Sequence, residues 1–299
     1  MMSLSAALEA WRSIVGADHV FDSGERLTQA QRATFASSQG ALAVVRPRSS
    51  PEVQECVRVA ASHRVPLYPV SRGKNWGLGS RLPARADCVL LDLGRLDRII
   101  EFDDKLGYLT VEPGVTFAQG SEFLRAREAR HYLSTIGGAK DASLLANALE
   151  RGDGSGPCGD RAAFIGGLEV VLPDGEMLHS GFERFGDASC ARLHRFGVGP
   201  SLDGLFMQSN LGIVTRATVW LARRPAPGTM ATSPLTSIGL SVRLRLVRSI
   251  ASTPRKTGTG IDWSAATAAR IPNCPEVSPL GASAASKVRV IAREARRTP

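Results

Sequence analysis

The sequence predicts an α+β fold, on three observations. Residues 41–93 read as strand, helix, strand, glycine-rich loop and strand, which describes a small parallel or mixed sheet with the loop at a strand end. Residues 87–115 alternate short apolar strands with turns. Two further apolar runs, 163–172 and 176–180, flank Pro173-Asp174-Gly175, a turn sequence that closes a hairpin.

The elements follow in order. Leu4, Leu8, Trp11, Ile14 and Val15 recur at helical spacing and predict an amphipathic helix over 4–15. Residues 16–39 are polar and aperiodic and read as an extended lead-in. Residues 41–47 form an apolar strand that ends at Pro47. Ser50 as N-cap and Pro51 at the first position then start a helix that stops near His63, with Val53, Cys56, Val57 and Ala60 facing inward. Strands are predicted at 65–68, 89–93, 98–102 and 108–111. Thr116 caps a helix to about Arg130 whose apolar face holds Phe117, Phe123 and Leu124. A loop containing Gly137-Gly138 leads into a helix over 142–150, with Asp141 as its N-cap. Residues 202–208 read as a short helix, and 213–222 as a strand alternating Val214, Arg216, Thr218 and Trp220.

Composition bounds the function. The chain has 299 residues, 43% of them hydrophobic, enough for a sizeable core. No apolar run approaches the ~20 residues of a membrane span, and the first residues lack the basic-then-apolar order of a signal peptide. The five cysteines are scattered without a Cys-x-x-Cys pair, which points away from zinc and from a disulfide framework and toward a reducing cytoplasm. Residues 229–299 hold eleven Lys/Arg against three Asp/Glu and so carry eight of the nine net positive charges. The body is close to neutral, without the basic stripe of a nucleic-acid binder. Beyond Pro225-Ala226-Pro227-Gly228 the chain turns to Ser, Ala, Thr and Arg, with weak patterning and Trp263 as its one aromatic. The expected organisation is a lead-in over 1–39, a folded domain over 40–227 and an irregular basic tail over 228–299.

The chemistry centres on Ser71-Arg72-Gly73-Lys74-Asn75-Trp76-Gly77-Leu78-Gly79. Few Cβ atoms obstruct such a loop, so its backbone N–H groups can converge on an anion while Arg72 and Lys74 add positive charge. This is a diphosphate cradle, yet its spacing matches neither the dinucleotide-binding turn nor the P-loop. Read without that chemistry, it is a glycine-rich surface turn.

The loop resembles the pyrophosphate loop of the vanillyl-alcohol oxidase / p-cresol methylhydroxylase (PCMH-type) family of FAD enzymes. Three further stretches resemble that family in the same order: 111–115 around Pro113-Gly114, then Asn147 to Gly152 running on to Gly159-Asp160-Arg161, then 202–215 ending in Gly212-Ile213-Val214. The resemblance is nearest to the 4-alkylphenol-oxidising branch. It implies an FAD-binding domain of two α/β subdomains, and an oxidoreductase that passes hydride from a phenolic or alcohol substrate to the flavin. A small-molecule phenol and a cytochrome electron acceptor are the partners it implies.

The implied cofactor contacts are Ser71 to Gly79, Pro113 and Gly114, one helix face of Ser143, Asn147 and Glu150, then Gly159, Asp160, Gly212, Ile213 and Val214. Read alone, that helix face is a solvated one. No histidine occurs between His63 and His131, so the FAD is expected to be non-covalent. Catalytic equipment departs from the family: an aspartate near flavin N5 aligns with Gly138, and a tyrosine of the pyrophosphate loop with Leu78. Cys158 reads as a space-filling thiol, and His131, His179 and His194 lack metal-ligand spacing. The family's substrate-covering domain has no counterpart in 228–299, so a truncated or frame-shifted reading frame is expected. The alternatives are an FAD-binding fragment without turnover and an interaction protein with a basic tail.

Overall fold

Leu4–Val15 forms helix α1, and its buried stripe of Ala7, Leu8, Trp11 and Val15 follows the helical spacing of the sequence. In a computed structural model of the protein, the described residues are 4–32, 40–74, 81–83, 85, 87–134, 136–154, 159–185, 188 and 191–224. They belong to the first of two units, Met1–Met230. The expected tail over 228–299 and the boundary before it lie outside the described residues, as does Cys158.

The first sheet has the order β1-β2-β4-β3, with β1 at Val20–Phe21, β2 at Ala43–Val45, β3 at Leu67–Val70 and β4 at Val89–Asp92. β2 and β3 both run parallel to β4, and β1 is antiparallel to β2, so the sheet is mixed. The lead-in is more ordered than its polarity predicts. It supplies β1 and the helix α2 (Gly24–Ala30), because Val20 pairs with Val45 and Leu27 packs beside Ala41, Val44 and Leu90. Helix α3 (Ser50–His63) is capped by Ser49 rather than Ser50: the Ser49 side chain accepts from the Glu52 N–H. The helix ends at Arg64, which sits in the left-handed region at φ 55°. α1 docks on α3, and the buried Trp11 indole N–H donates to the Cys56 carbonyl at 3.0 Å. Cys56 and Cys88 are free thiols, both buried, and burial pushes the Cys56 thiol up to about 12.

The second sheet, in the order β5-β6-β10-β8-β9, is antiparallel throughout. Its strands are β5 (Ile99–Asp103), β6 (Tyr108–Val111), β8 (Ile165–Val171), β9 (Met177–His179) and β10 (Ile213–Trp220). A two-residue strand β7 (His131–Tyr132) pairs separately with β11 (Ala222–Arg223). One face of the large sheet is covered by α4 (Phe117–Ala126) and α5 (Leu144–Leu149), through Leu109, Leu124, Leu144, Leu145, Ile165 and Leu168. α4 is shorter than expected, since the chain leaves it at Arg127 and enters β7 by His131.

β10 does not show plain alternation, because Thr215, Ala217, Thr218 and Val219 are all buried and the ladder shifts register twice. The polar face of the strand is covered as well. Arg216 pairs with Glu169 at 2.9 Å and with Glu183 at 3.1 Å, and Arg192 pairs with Glu183 and, at 3.1 Å, with Glu101. No helix among the described residues is long and apolar enough to cross a membrane.

Candidate functional site

The cradle begins where β3 ends. Leu67–Val70 is the edge strand of the first sheet, and Ser71 to Lys74 follow it directly. Gly73 sits at φ 61°, a backbone that residues with a Cβ adopt at a cost. Asn75, Trp76, Gly77, Leu78 and Gly79 lie outside the described residues.

Ser71 to Lys74 form one wall of a cleft of ≈ 580 Å³. The facing wall is α5 and the turn after it, through Ser143, Ala146, Asn147, Glu150 and Gly152. The structure therefore brings together Ser71, Arg72, Gly73, Lys74, Ser143, Asn147 and Glu150 at one site. A second hollow of ≈ 560 Å³ shares Tyr68, Pro69 and Glu150 with the first and continues to Gly212 and Ile213. Val214 points into the core under the second sheet. Gly159 and Asp160 line neither hollow; the Gly159 carbonyl accepts from Gly154 N, and the Asp160 side chain caps the turn at Ala163.

Pro113 and Gly114 stand behind the cleft and tie its walls together. The Ser71 hydroxyl donates to the Pro113 carbonyl, and the Ser143 hydroxyl donates to the same oxygen at 2.5 Å. Arg72 Nε donates to the Gly114 carbonyl at 2.7 Å. Only glycine fits at 114, since a Cβ there would stand 2.5 Å from the Leu96 carbonyl oxygen and 2.7 Å from that of Gly94.

Ser143, not Asp141, is the N-cap of α5, and its oxygen accepts from Ala146 N at 3.0 Å. Asp141 instead pairs with Lys74 at 2.9 Å. Lys74, and more weakly Arg72, hold the Asp141 carboxyl below its ordinary range. Arg72 also faces Asp97 at 3.9 Å. Both cations of the cradle thus already lie beside carboxylates.

This arrangement fits a long, anionic, dinucleotide-like ligand. The cleft adjoins the second hollow through Tyr68, Pro69 and Glu150, and its lining carries the cations Arg72 and Lys74 on one wall and the carboxylates Glu150 and Asp153 on the other. On the other wall the Asn147 Oδ1 is buried and accepts no hydrogen bond among the described residues. A Cβ on Gly152 would collide with the Asn147 side chain at 2.2 Å, so glycine there leaves room for that amide. Sequence reasoning missed Tyr68, Ala146 and Gln208 as lining residues. Ala146 lies three positions after Ser143 on the same helical face, a signal the sequence does contain. Gln208 approaches from a distant segment, its Nε2 donating to the Glu150 carbonyl at 3.2 Å, and no local pattern announces it. Among the described residues no cluster of side chains could hold a metal ion.

Residues 41–181 match the FAD binding domain family. The 1'-carboxy-chondrochloren decarboxylase of Chondromyces crocatus is 49% identical over 222 residues, covering 74% of this chain and 41% of that protein. The 4-cresol dehydrogenase [hydroxylating] flavoprotein subunit of Pseudomonas putida is 31% identical over 222 residues, covering 73% of this chain and 43% of that one. Among solved structures, p-cresol methylhydroxylase with substrate bound superposes with a TM-score of 0.72 at 30% identity, over 74% of this chain and 44% of that one. The chain spans less than half the length of each of these relatives.

Proposed function

We propose, from the match of residues 41–181 to the FAD binding domain family, that the cleft between β3 and α5 holds FAD and that the chain is the cofactor-binding part of a flavin oxidoreductase. The observation that carries this reading is the meeting of Ser71–Lys74 with the Ser143–Glu150 face across one cleft. FAD supplies the redox chemistry, accepting a hydride from an organic substrate. The chain's own residues bind and orient it. Backbone N–H groups from Ser71 to Lys74 face the diphosphate, with Arg72 and Lys74 balancing its charge. Asn147 Oδ1 takes a donor from the ligand, and the hollow reaching Gly212 and Ile213 takes one end of it. Non-covalent attachment is part of this reading, because the sequence places no histidine between His63 and His131.

The substrate class follows from the relatives. The Pseudomonas protein is named for 4-cresol, so a para-substituted phenol is the reading we favour, with a cytochrome as the electron acceptor that the family resemblance implies. The Chondromyces protein is named as a decarboxylase, and at 49% identity it supports a second reading in which the same flavin drives loss of a carboxyl group. The buried free thiols Cys56 and Cys88 fit a reducing, cytoplasmic setting.

Purified chain mixed with FAD and then desalted tests the binding reading. Retention of FAD near one per chain is expected, and tight NADP binding with no retained flavin would overturn it. Anaerobic bleaching of the bound flavin by a 4-alkylphenol, or by a carboxylated analogue with release of carbon dioxide, separates the two substrate readings. If neither bleaches a retained flavin, the chain is a binding fragment without turnover.

A further inference from the structure

Asp92 is the last residue of β4 and pairs in register with Val70, the last residue of β3. Its side chain is only 12% exposed. Oδ1 accepts from Gly94 N at 2.8 Å, which leaves Oδ2 to face Arg46 Nε at 3.4 Å and Arg81 Nη2 at 3.7 Å. Arg81 is thereby held over the start of the cradle. A Cβ on Gly73 would stand 2.3 Å from Arg81 Cγ and 2.5 Å from Cδ, so the stem of Arg81 lies against the Gly73 backbone. Arg81 lines no part of the cofactor cleft; with Arg46 and Asp92 it lines a separate hollow. The Gly94 side of the same turn also meets the cradle, since a Cβ there would be 3.6 Å from the Ser71 carbonyl oxygen.

We propose that Arg81, anchored by Asp92, is a positioning residue for the diphosphate wall. It acts on the cofactor through Gly73 and touches no ligand atom. The physical reason is preorganisation. Glycine at φ 61° has the freest backbone of any residue, and an unrestrained Gly73 would lose that freedom on ligand binding. A guanidinium stem packed on one side and an ion pair behind it remove the alternatives beforehand. Partial burial of Asp92 and Arg81 keeps the pair from being screened as an exposed one is. The inference rests on the FAD reading above for its ligand, and on the apoprotein for its geometry.

The test uses the full chain and three variants, Arg81→Ala, Arg81→Lys and Asp92→Asn. Dissociation constants for FAD and for ADP, a flavin-free diphosphate, are measured alongside amide hydrogen exchange at Ser71–Lys74 in the apoprotein. Arg81→Ala is expected to weaken both ligands about tenfold and to speed exchange at Ser71–Lys74, while its apoprotein Tm stays within about 2 °C of the parent. Arg81→Lys keeps a stem and a charge and is expected to recover affinity to within about threefold. Asp92→Asn keeps the acceptor for Gly94 N and is expected to fall between them. Unchanged affinity and unchanged exchange in Arg81→Ala would overturn the proposal, as would a loss of affinity matched by global unfolding. If the parent chain retains no FAD and binds no ADP, the functional reading fails. In that case the exchange measurement alone decides the clasp.

Discussion

Two serines show how much one oxygen can organise. The hydroxyls of Ser71 and Ser143 each carry one proton, and both protons point at the Pro113 carbonyl. Neither is left to donate to a phosphate, so in the proposed site anion binding would fall to backbone N–H groups and to Arg72 and Lys74. Ser143→Ala is expected to cost about 1 kcal/mol through loss of the α5 cap. Denaturant midpoints would show it, and an unchanged midpoint would remove Ser143 from this role. Gly114→Val is the harsher change, because its side chain would meet two backbone carbonyls that have nowhere to move. We expect a loss of about 2–3 kcal/mol or failure to fold, read as a shifted midpoint or as insoluble protein. A charge-based expectation concerns Asp141, which occupies Lys74. Asp141→Asn frees that amine and is expected to tighten ADP and FAD about two- to threefold at low salt, with the gain vanishing near 1 M salt. Weaker binding in the variant would show that the pair holds Lys74 in place for the ligand.

At the scale of elements, the sequence was legible where one local signal decides. Thr116 and Gln119 form a full capping box, and the start of α4 follows it. Pro173-Asp174-Gly175 turns β8 into β9 with Gly175 at φ 85°. Legibility failed where a neighbour competes. Ser49 and Ser50 are both good caps, and Ser49 wins while the Ser50 hydroxyl goes to Glu169 at 2.6 Å on the other sheet. Asp141 looked like a cap until Lys74, far away in sequence, took its carboxylate. Nor could the end of α4 be read. There Asp104, in the turn after β5, holds Arg130 at 2.9 Å and His131 at 3.1 Å and draws the chain into β7. Arg130 first, and then His131, depress the Asp104 carboxyl to about 2. A depressed carboxylate adds stability above its unfolded value of about 3.9 and loses it as pH falls toward 2. Asp104→Asn should therefore be less stable than the parent at pH 7, and the gap should close between about pH 4 and 2. A gap that persisted at the lowest pH would assign the effect to something other than this charge.

At the scale of the molecule, the site is a seam. β3 and its loop belong to the first sheet and its helices, while α5 rests on the core of the second. The sequence named residues on both walls, because each wall has its own motif. It could not show that Pro113 links them, since that contact spans 42 residues on one side and 30 on the other. For the chain beyond Gly228, whose composition is basic and nearly free of aromatics, we expect rapid proteolysis after Pro225. A resistant fragment that keeps its flavin should remain, and a protease-resistant full-length chain would refute this. A ligand lying in a seam bonds to both sides of it. At a hundred times its Kd it would add about 2.7 kcal/mol to the folded state, a large share of the about 5–15 kcal/mol that holds a domain together. The amount of this protein in a cell would then track vitamin supply: a flavin-starved cell would degrade it faster at an unchanged rate of synthesis.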